Sequence, residues 1–428
     1  MNTNSLNTKL AMFFAALLGA AVFTSVAFTN IAALGLLLIA PFAWRQFYKT
    51  HQSIEADAKL FLALVIALCA WDVFTNVWAG YGVGASFKDL LHDMRTFGFV
   101  VLLWAVFVNP RVARVAFGAV FATVLFMATV NLLLTLSGRV VQGEYFTTGL
   151  LRMSHMSHMY GQALVGMVFV LAQMWLVRPS LAWRVAVPMA LLLASLVLAS
   201  ERRTGWVLLA AGFGVWSLLN AKRLFAGKYK WWLLGGAVAV LGVVASSDVV
   251  HRRMALAVVE FNEYLALTPQ ERSAAIFGSV SIRMQYAATA WEAIKQSNWW
   301  IGVGSLQFGD AFAAINYSMG TTPEQAKLYF ANFKNPHNEY LFMLATKGVV
   351  GLALYVGIFV QACRLALIKT SDVQRIGLIM FVYLFMVSIF MNSMMVDMEE
   401  GHFAMLILLI FLMNWVCLLT MERIQQAK

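Results

Sequence analysis

Long apolar runs separated by short polar segments recur along most of this chain. Many of these runs approach the roughly 20 residues that an α-helix needs to cross a bilayer. We predict twelve membrane-spanning helices, at about residues 10–28, 30–44, 58–79, 95–109, 111–136, 159–177, 181–200, 203–220, 231–247, 338–368, 374–395 and 402–421. The strands of an outer-membrane barrel show a weaker, alternating pattern, so the chain is predicted to be an all-α polytopic membrane protein.

One long polar segment, residues 248–336, interrupts this pattern. It is too long for a structureless connection, so we expect it to fold. An apolar stripe at helical spacing predicts an amphipathic helix over residues 251–267; it consists of Met254, Val258, Phe261 and Leu265. Thr268-Pro269-Gln270-Glu271 signals the start of a helix that we expect to reach about Gln296. A similar signal begins at Thr322, so we predict about three helices on the membrane face.

The positive-inside rule orients the chain, because the basic residues of most short loops fall on one side of the predicted membrane. Arg45, Lys222 and Arg375 are among these residues. Both termini are then cytoplasmic, and the long segment is periplasmic. We divide the chain into residues 1–247 with helices one to nine, residues 248–336 as a periplasmic helical loop, and residues 337–428 with helices ten to twelve. The first apolar run lacks a clear cleavage site, so it is read as a retained helix.

Charge and cysteine content narrow the possible functions. Only 12% of the residues are charged, and the formal net charge is +11. Because the basic residues are spread over many short loops, we expect contact with anionic lipid headgroups and no binding of nucleic acid. Cys69, Cys363 and Cys417 all lie in apolar runs, which predicts neither a disulfide nor cysteine chemistry.

His337 is the first candidate for chemistry. It lies between Pro336 and Asn338, where the long polar segment meets the tenth predicted span. A helix N-terminus offers free N–H groups and a positive dipole end, which suit a phosphate. A neutral imidazole at this position could take a proton from a hydroxyl group. The structural alternative is a histidine that only caps a helix at the interface.

Four arginines on the predicted periplasmic side are candidates for binding phosphate; they are Arg152, Arg202, Arg203 and Arg283. The positive-inside rule does not require basic residues on this side, and the guanidinium group binds phosphate oxygens in a bidentate manner. Arg202 and Arg203 occupy a short tip between two spans, and Arg283 lies on the apolar face of its helix. The alternative for any single arginine is headgroup contact.

A metal site has little support in the sequence. His155 and His158 have the i, i+3 spacing of a helical ligand pair, but no carboxylate or cysteine lies close to them. Their alternative role is to line a substrate cleft. No Asp-x-Asp or other paired ligand spacing occurs among the periplasmic carboxylates. We therefore predict no metal and no cofactor.

Several of these features together resemble the O-antigen ligase family and its polymerase relatives. The resembling motifs are His337-Asn338 followed after nine residues by Gly348-Val349-Val350-Gly351, Arg283 with Trp291, the turn Gly302-Val303-Gly304, and Arg202-Arg203-Thr204-Gly205. The resemblance covers roughly residues 185–370 and includes the position of one long loop just before the His-Asn helix. It implies a multi-span fold similar to that of other polyprenyl-linked (GT-C-like) glycosyltransferases.

The resemblance also implies an activity and a location in the bacterial inner membrane. Members of the family transfer a glycan en bloc from undecaprenyl pyrophosphate to a sugar hydroxyl of lipid A-core on the periplasmic side. By resemblance, His337 is the base that deprotonates the acceptor, and Arg202, Arg203 and Arg283, with Arg152, hold the pyrophosphate. Asn338, as part of the same motif, is expected to contact substrate. Such a displacement inverts the anomeric carbon and needs no metal.

Two kinds of alternative stay open at this point. Within the superfamily, an O-antigen polymerase or a protein O-oligosaccharyltransferase would use the same donor with a different acceptor. From another class, a transporter or flippase for lipid-linked glycans would also be a basic protein with many spans. A transporter predicts ionisable residues deep within spans and an internal repeat. The sequence shows neither clearly, because the charges are expected at the edges of the spans.

Overall fold

A computed structural model describes the protein over most of its length. The described residues are 6–50, 56–93, 96–137, 144–148, 151–154, 158–199, 203–225, 231, 235, 242, 248–268, 271–272, 278–322, 336–368, 372–390 and 400–411. The statements below concern these residues only.

The fold is built almost entirely from helices. The first half of the chain contains α1 Leu6–Ala21, α2 Val26–Thr50, α3 Ala56–Trp78, α4 Val83–Asp93, α5 Phe97–Phe107, α6 Pro110–Leu136 and α7 His158–Val177. The second half contains α8 Ala182–Ala194, α9 Arg203–Leu219, α10 Ala221–Leu224, α11 Asp248–Ala266, α12 Ser279–Gln296, α13 Ser305–Ser318, α14 Glu339–Ile368, α15 Asp372–Ser388 and α16 Glu400–Phe411. A 3₁₀ turn, Pro179–Leu181, precedes α8, and a π-helical turn, Ser195–Ala199, follows it.

The helical membrane fold predicted from the sequence is confirmed in its main feature. Six described helices are long and apolar enough to cross a bilayer, namely Val26–Lys49, Ala58–Trp78, Pro110–Leu136, Met159–Val177, Pro179–Ala199 and Glu339–Leu367. Five shorter apolar helices coincide with further predicted spans, namely Leu6–Ala21, Phe97–Phe107, Thr204–Leu219, Arg375–Val387 and Glu400–Phe411. The predicted ninth span, residues 231–247, lies largely outside the described residues.

Three elements were not predicted from the sequence. α4 follows α3 directly, and α13 lies in the long polar segment. A two-stranded antiparallel hairpin, β1 Glu144–Thr148 and β2 Leu151–Ser154, is a small exception to the all-helical prediction. Each is too short to produce a long periodic pattern, which is the main signal that a sequence offers.

Small residues let the helices of the bundle pack closely. α1 packs against α6, where a Cβ atom on Gly19 would lie 2.7 Å from the Ala116 carbonyl oxygen. α7 packs against α15, where a Cβ atom on Gly166 would lie 2.1 Å from the Phe381 ring. Apolar burial does not favour one apolar partner over another in lipid, so such close packing is a main source of association between helices.

α14 is broken near its middle, although the sequence predicts one continuous span over residues 338–368. Gly348 has φ 64° and ψ −170°, a conformation that is essentially restricted to glycine. The break releases the carbonyl groups of the preceding turn from their helical partners. The residues after the break, 349–368, would extend about 30 Å as a helix, so they alone are long enough to span the bilayer.

The chain changes direction sharply at this break. In a continuous helix, Glu339 and Tyr355 would lie about 24 Å apart. The two side chains instead interact electrostatically across the break. The two halves of α14 are therefore not collinear.

The long polar segment folds into helices, with two corrections to the prediction. The helix predicted over residues 251–267 is confirmed as α11, and the predicted start at Thr268 is a reciprocal capping box: the Glu271 N–H donates to Thr268 Oγ1, and the Thr268 N–H to Glu271 Oε2. However, the helix predicted to reach Gln296 from there is not continuous, because Gly278 is extended and α12 begins after it. The predicted start at Thr322 leads into residues 323–335, which lie outside the described residues.

Candidate active site

His337 occupies an unusual backbone position just before α14. Its φ of +50° makes it the only non-glycine residue with positive φ among those described. A side chain in the left-handed region is rare, and such strain is concentrated at functional sites. The preceding Pro336 is buried, whereas His337 itself is half-buried. The imidazole is therefore fixed by its surroundings while part of it stays accessible.

The residues that follow His337 tie the start of α14 to the end of α15. Asn338 Oδ1 accepts the Leu341 N–H at 3.0 Å, so Asn338 is the N-cap of the helix. Its Nδ2 donates to the Phe390 carbonyl oxygen at 3.3 Å, and the Glu339 N–H donates to the Ile389 carbonyl oxygen at 2.8 Å. Both polar atoms of the Asn338 side chain thus form hydrogen bonds within the protein, and the expected contact of Asn338 with substrate stays a prediction.

Tyr286 stacks on His337 and was not identified from the sequence. The two ring centroids are 5.5 Å apart, and the ring planes are inclined by 20°. Tyr286 is buried on α12 and also packs against Phe312 of α13. Its position one turn after Arg283 is the signal that sequence reasoning could have used. The phenol ring covers one face of the imidazole and restricts its orientation.

Arg283 lies in the same cluster through Tyr286. Its Nη1 donates to the Ser279 carbonyl oxygen at 2.7 Å, one turn earlier on α12. Burial raises the pKa of Tyr286 to about 12, and the positive charge of Arg283 opposes that rise. The phenol is therefore protonated throughout the neutral range and does not compete with His337 as a base. Arg283 and His337 therefore both lie close to Tyr286.

The structure gives less information about the positions of the other predicted site residues. Arg203 is the first residue of α9 and Arg152 lies in β2, and the positions of their side chains are not described. Arg202 and His155 lie outside the described residues, and His158 begins α7. The expectation that these residues line one cleft with His337 therefore stays a prediction. Among the described residues, no group of three or more potential metal ligands occurs.

The two glycine motifs of the resemblance meet at the break in α14. The N–H groups of Val303 and Gly304 donate to the carbonyl oxygens of Ala345 and Thr346, at 2.8 and 2.9 Å. In return, the Val349 N–H donates to the Trp299 carbonyl oxygen at 2.8 Å. The loop that joins α12 to α13 thus replaces the helical hydrogen bonds that the break removes. Backbone groups that lose their helical partners inside an apolar helix bundle require hydrogen bonds of this kind.

Glycine is required at both sides of this contact. A Cβ atom on Gly302 would lie 2.5 Å from the backbone of Thr346, and one on Gly348 would lie 2.2 Å from the backbone of Trp300. Both residues also have positive φ, 79° and 64°. The direction of the His337 segment therefore depends on contacts between backbones, which a side chain would prevent.

A buried ion pair lies beside the break and corrects an expectation from the sequence. Lys347 Nζ pairs with Asp72 Oδ1 of α3, and their side chains are only 1% and 2% exposed. The Lys347 carbonyl oxygen, released by the break, accepts from Trp71 Nε1 at 2.8 Å. From the sequence we expect charges only at the edges of spans, and this pair is missed because each charge is single within a long apolar run.

The pair belongs to a wider polar network that joins four helices. Ser305 is the first residue of α13. Its Oγ atom lies 3.1 Å from Asp72 Oδ1 and 2.6 Å from Asp89 Oδ2 of α4. Asn76 Oδ1 accepts the Leu306 N–H at 3.1 Å, and its Nδ2 donates to Asp89 Oδ2 at 3.0 Å. A buried network of side chains that are hydrogen-bonded to one another favours one arrangement of the helices.

Comparison with known proteins agrees with the sequence motifs. The family model for O-antigen ligase matches residues 188–356. The match begins within α8, contains α9, α11, α12 and α13, and ends after the break in α14. It includes Arg202, Arg203, Arg283 and His337 but not Arg152. No curated protein matches the chain.

Proposed function

We propose that this protein, whose residues 188–356 match the family model for O-antigen ligase, is an O-antigen ligase of the bacterial inner membrane. The reaction is the transfer of a glycan en bloc from undecaprenyl pyrophosphate to a sugar hydroxyl of lipid A-core. The site faces the periplasm, and the donor and the acceptor both enter from the bilayer. Membrane lipids are the remaining partners.

The observation that carries this proposal is the cluster of His337, Tyr286 and Arg283. It combines a half-buried imidazole with an arginine on a neighbouring helix, and a stacked ring connects them. An imidazole is suited to accept a proton near neutral pH. A guanidinium group is suited to hold phosphate oxygens, because its five donors form a planar fork. A displacement of pyrophosphate by a hydroxyl requires both groups.

His337 is the proposed general base. Its imidazole accepts the proton of the acceptor hydroxyl while the hydroxyl oxygen attacks the anomeric carbon of the donor sugar. The bond from that carbon to the pyrophosphate oxygen breaks, and its electron pair leaves with undecaprenyl pyrophosphate. A single displacement of this kind inverts the anomeric carbon. Tyr286 holds the imidazole in orientation, and Asn338 fixes the end of the helix that follows it.

Arg283, with Arg202, Arg203 and Arg152, is proposed to bind the pyrophosphate and stabilise the charge that develops as it leaves. Donors that are already in place stabilise a developing charge more effectively than water that must reorient. Because these groups supply the positive charge, the proposed reaction uses neither a metal nor another cofactor.

The alternatives within the superfamily differ only in the acceptor. A polymerase would transfer to a second lipid-linked glycan, and a protein O-oligosaccharyltransferase would transfer to a polypeptide. The chemistry proposed for His337 and the arginines is common to all three. The ligase is favoured by the description of the matched family and by the order of the motifs along the chain.

The test uses purified protein in detergent, with a chelator present and no ATP. Undecaprenyl-pyrophosphate-linked glycan and lipid A-core are added, and the products are separated on a gel. We expect a lipopolysaccharide ladder. Longer lipid-linked glycans without a ladder would indicate the polymerase instead. If both substrates stay unchanged in a preparation that binds the donor, the proposed transfer reaction is wrong and a transport role must be tested in vesicles.

A further inference from the structure

The most unusual surface outside the site is the apolar stripe of α11. Its four residues, predicted from the sequence to form one stripe of a helix on the membrane face, are all turned away from the protein. Their exposed fractions lie between 45% and 57%; they are Met254, Val258, Phe261 and Leu265. At about 100° per residue these four positions fall within an arc of about 60°, so they form one narrow face.

The protein contacts a different and more polar face of the same helix. Glu260 and Tyr264 are the buried residues of α11, and they face α12. Glu260 Oε2 accepts the Val280 N–H at 2.7 Å, and Tyr264 Oη donates to Gln285 Oε1 at 3.1 Å. A helix that presents polar groups to its protein partner and an apolar stripe elsewhere must bury the stripe against something else.

We propose that α11 lies in the outer surface of the bilayer, with this stripe inserted among the lipid acyl chains and its opposite face toward water. Arg252 and Glu263 are exposed about 150° and 170° from the centre of the stripe, and the exposed Leu256 and Val259 lie on the same side. An interfacial helix of this kind inserts its apolar face about 5–10 Å below the headgroups. The partner is thus a lipid surface and not a second protein.

Two further observations favour lipid as the partner. α11 begins at Asp248, directly after the apolar run predicted as the ninth span, so the predicted span would bring the chain to the membrane surface where the helix starts. Its first turn also carries the exposed His251 about 50° from the centre of the stripe, and a histidine presents an apolar ring with a polar tip, which suits the headgroup region.

The insertion of α11 would fix the height of the site above the membrane. Glu260 occupies the N-terminus of α12, where its carboxylate caps the helix, and Ser281 Oγ donates to the Glu260 carbonyl oxygen at 2.9 Å. Gly278 leaves room for this carboxylate, since a Cβ atom there would lie 2.3 Å from Glu260 Cδ. α12 carries Arg283 and Tyr286. The contact between α11 and α12 would therefore hold both residues at a fixed height above the membrane surface.

The test measures the depth of single spin labels in the full-length protein, reconstituted in vesicles of phosphatidylethanolamine and phosphatidylglycerol. Cys69, Cys363 and Cys417 are replaced by serine, and a label is attached at Val258→Cys, at Leu265→Cys or, as the control, at Glu263→Cys. We expect the first two labels to collide with oxygen and to be shielded from a water-soluble nickel complex. The control label should show the reverse.

Two results would overturn the proposal. If the labels at positions 258 and 265 are as accessible to the nickel complex as the label at 263, the stripe faces water. If they are shielded from both reagents, and their spectra sharpen when unlabelled protein is added, the stripe contacts a second copy of the chain. Using two stripe positions guards against local disturbance by one label, and the measurement does not depend on the proposed transferase activity.

Discussion

Tyr286, which stacks on His337, could act through its aromatic ring or through its hydroxyl group, and substitutions can distinguish the two. The phenol stays protonated because burial raises the pKa of Tyr286 to about 12. The ring should therefore matter more than its ionisation. An aromatic pair contributes about 0.5–1.5 kcal/mol beyond burial, which corresponds to roughly a 2- to 10-fold effect.

We predict that Tyr286→Phe keeps kcat within about 2-fold of the wild type, whereas Tyr286→Leu lowers kcat by about 3- to 10-fold. The lost stacking leaves the imidazole free to rotate, and the KM for the donor should change little in either variant. Initial rates of glycan transfer measure both quantities. Equal activity in the leucine and phenylalanine variants would show that the ring does not orient His337.

Arg283 provides a second test at the level of a single residue. Arg283→Lys keeps the charge but loses the planar fork that binds two phosphate oxygens at once. Hydrogen bonds to a charged group contribute about 1.5–3 kcal/mol, so we expect the rate of transfer to fall at least about 10-fold. Arg252→Lys on the exposed face of α11 is the matched control and should behave as the wild type. Full activity in Arg283→Lys would make the fork unnecessary.

At the level of elements, the break in α14 shows both the strength and the limit of prediction from sequence. Long apolar periodicity predicted most spans, because a bilayer imposes length and composition on every helix that crosses it. The same criterion concealed the break, since residues 338–368 are mostly apolar and Lys347 is a single charge beside Gly348. Gly348 was noticed as part of a motif, but its positive φ depends on Trp299 and Val303, which are remote in the sequence.

Some residues of the candidate site could be predicted from the sequence, and others could not. His337 and Arg283 could be identified from charge, position and resemblance. Tyr286 was missed, because its position one turn after Arg283 is only a weak signal until its ring is seen against the imidazole. Asn338 was expected to contact substrate, and only the structure shows its hydrogen bonds to Leu341 and Phe390.

We predict that Gly348→Ala reduces transfer strongly, by about 10-fold or more, because alanine at this φ and ψ is strained and its Cβ atom would collide with the backbone of Trp300. The position of the whole His337 segment would then change. Gly118→Ala in α6 is the control, since nothing lies within 4 Å of the added methyl group. Rates normalised to the amount of folded protein in the membrane decide the question. Wild-type activity in Gly348→Ala would mean that the break does not position His337.

At the level of the whole molecule, the ion pair of Asp72 and Lys347 joins the bundle to the segment that carries the site. A buried charge is costly without its partner, and removal of one member of such a pair typically destabilises a protein by about 3–5 kcal/mol. Replacement of both members by apolar residues is often neutral. A comparison of single and double variants therefore distinguishes an ion pair that only stabilises the fold from charges that take part in transport.

We predict that Asp72→Leu and Lys347→Met each lower both thermal stability and transfer activity. The double variant should recover most of both, because it leaves no unpaired charge in the apolar interior. Thermal unfolding in detergent and the transfer assay measure the two properties on the same preparation. A double variant that folds as stably as the wild type but has no activity would contradict a purely structural role and would favour a function for the charges themselves.

His337 is proposed to remove the proton of the acceptor hydroxyl, and a comparison of two histidine variants tests this role. Transfer from undecaprenyl-pyrophosphate-linked glycan to lipid A-core is measured with His337→Ala and with His251→Ala, a control at an exposed histidine of α11. General base catalysis contributes about 10²- to 10⁴-fold, so the first variant should lose activity by that factor while it remains folded and binds the donor. The control should match the wild type. A His337→Ala protein that still transfers glycan at the wild-type rate would contradict the proposed mechanism.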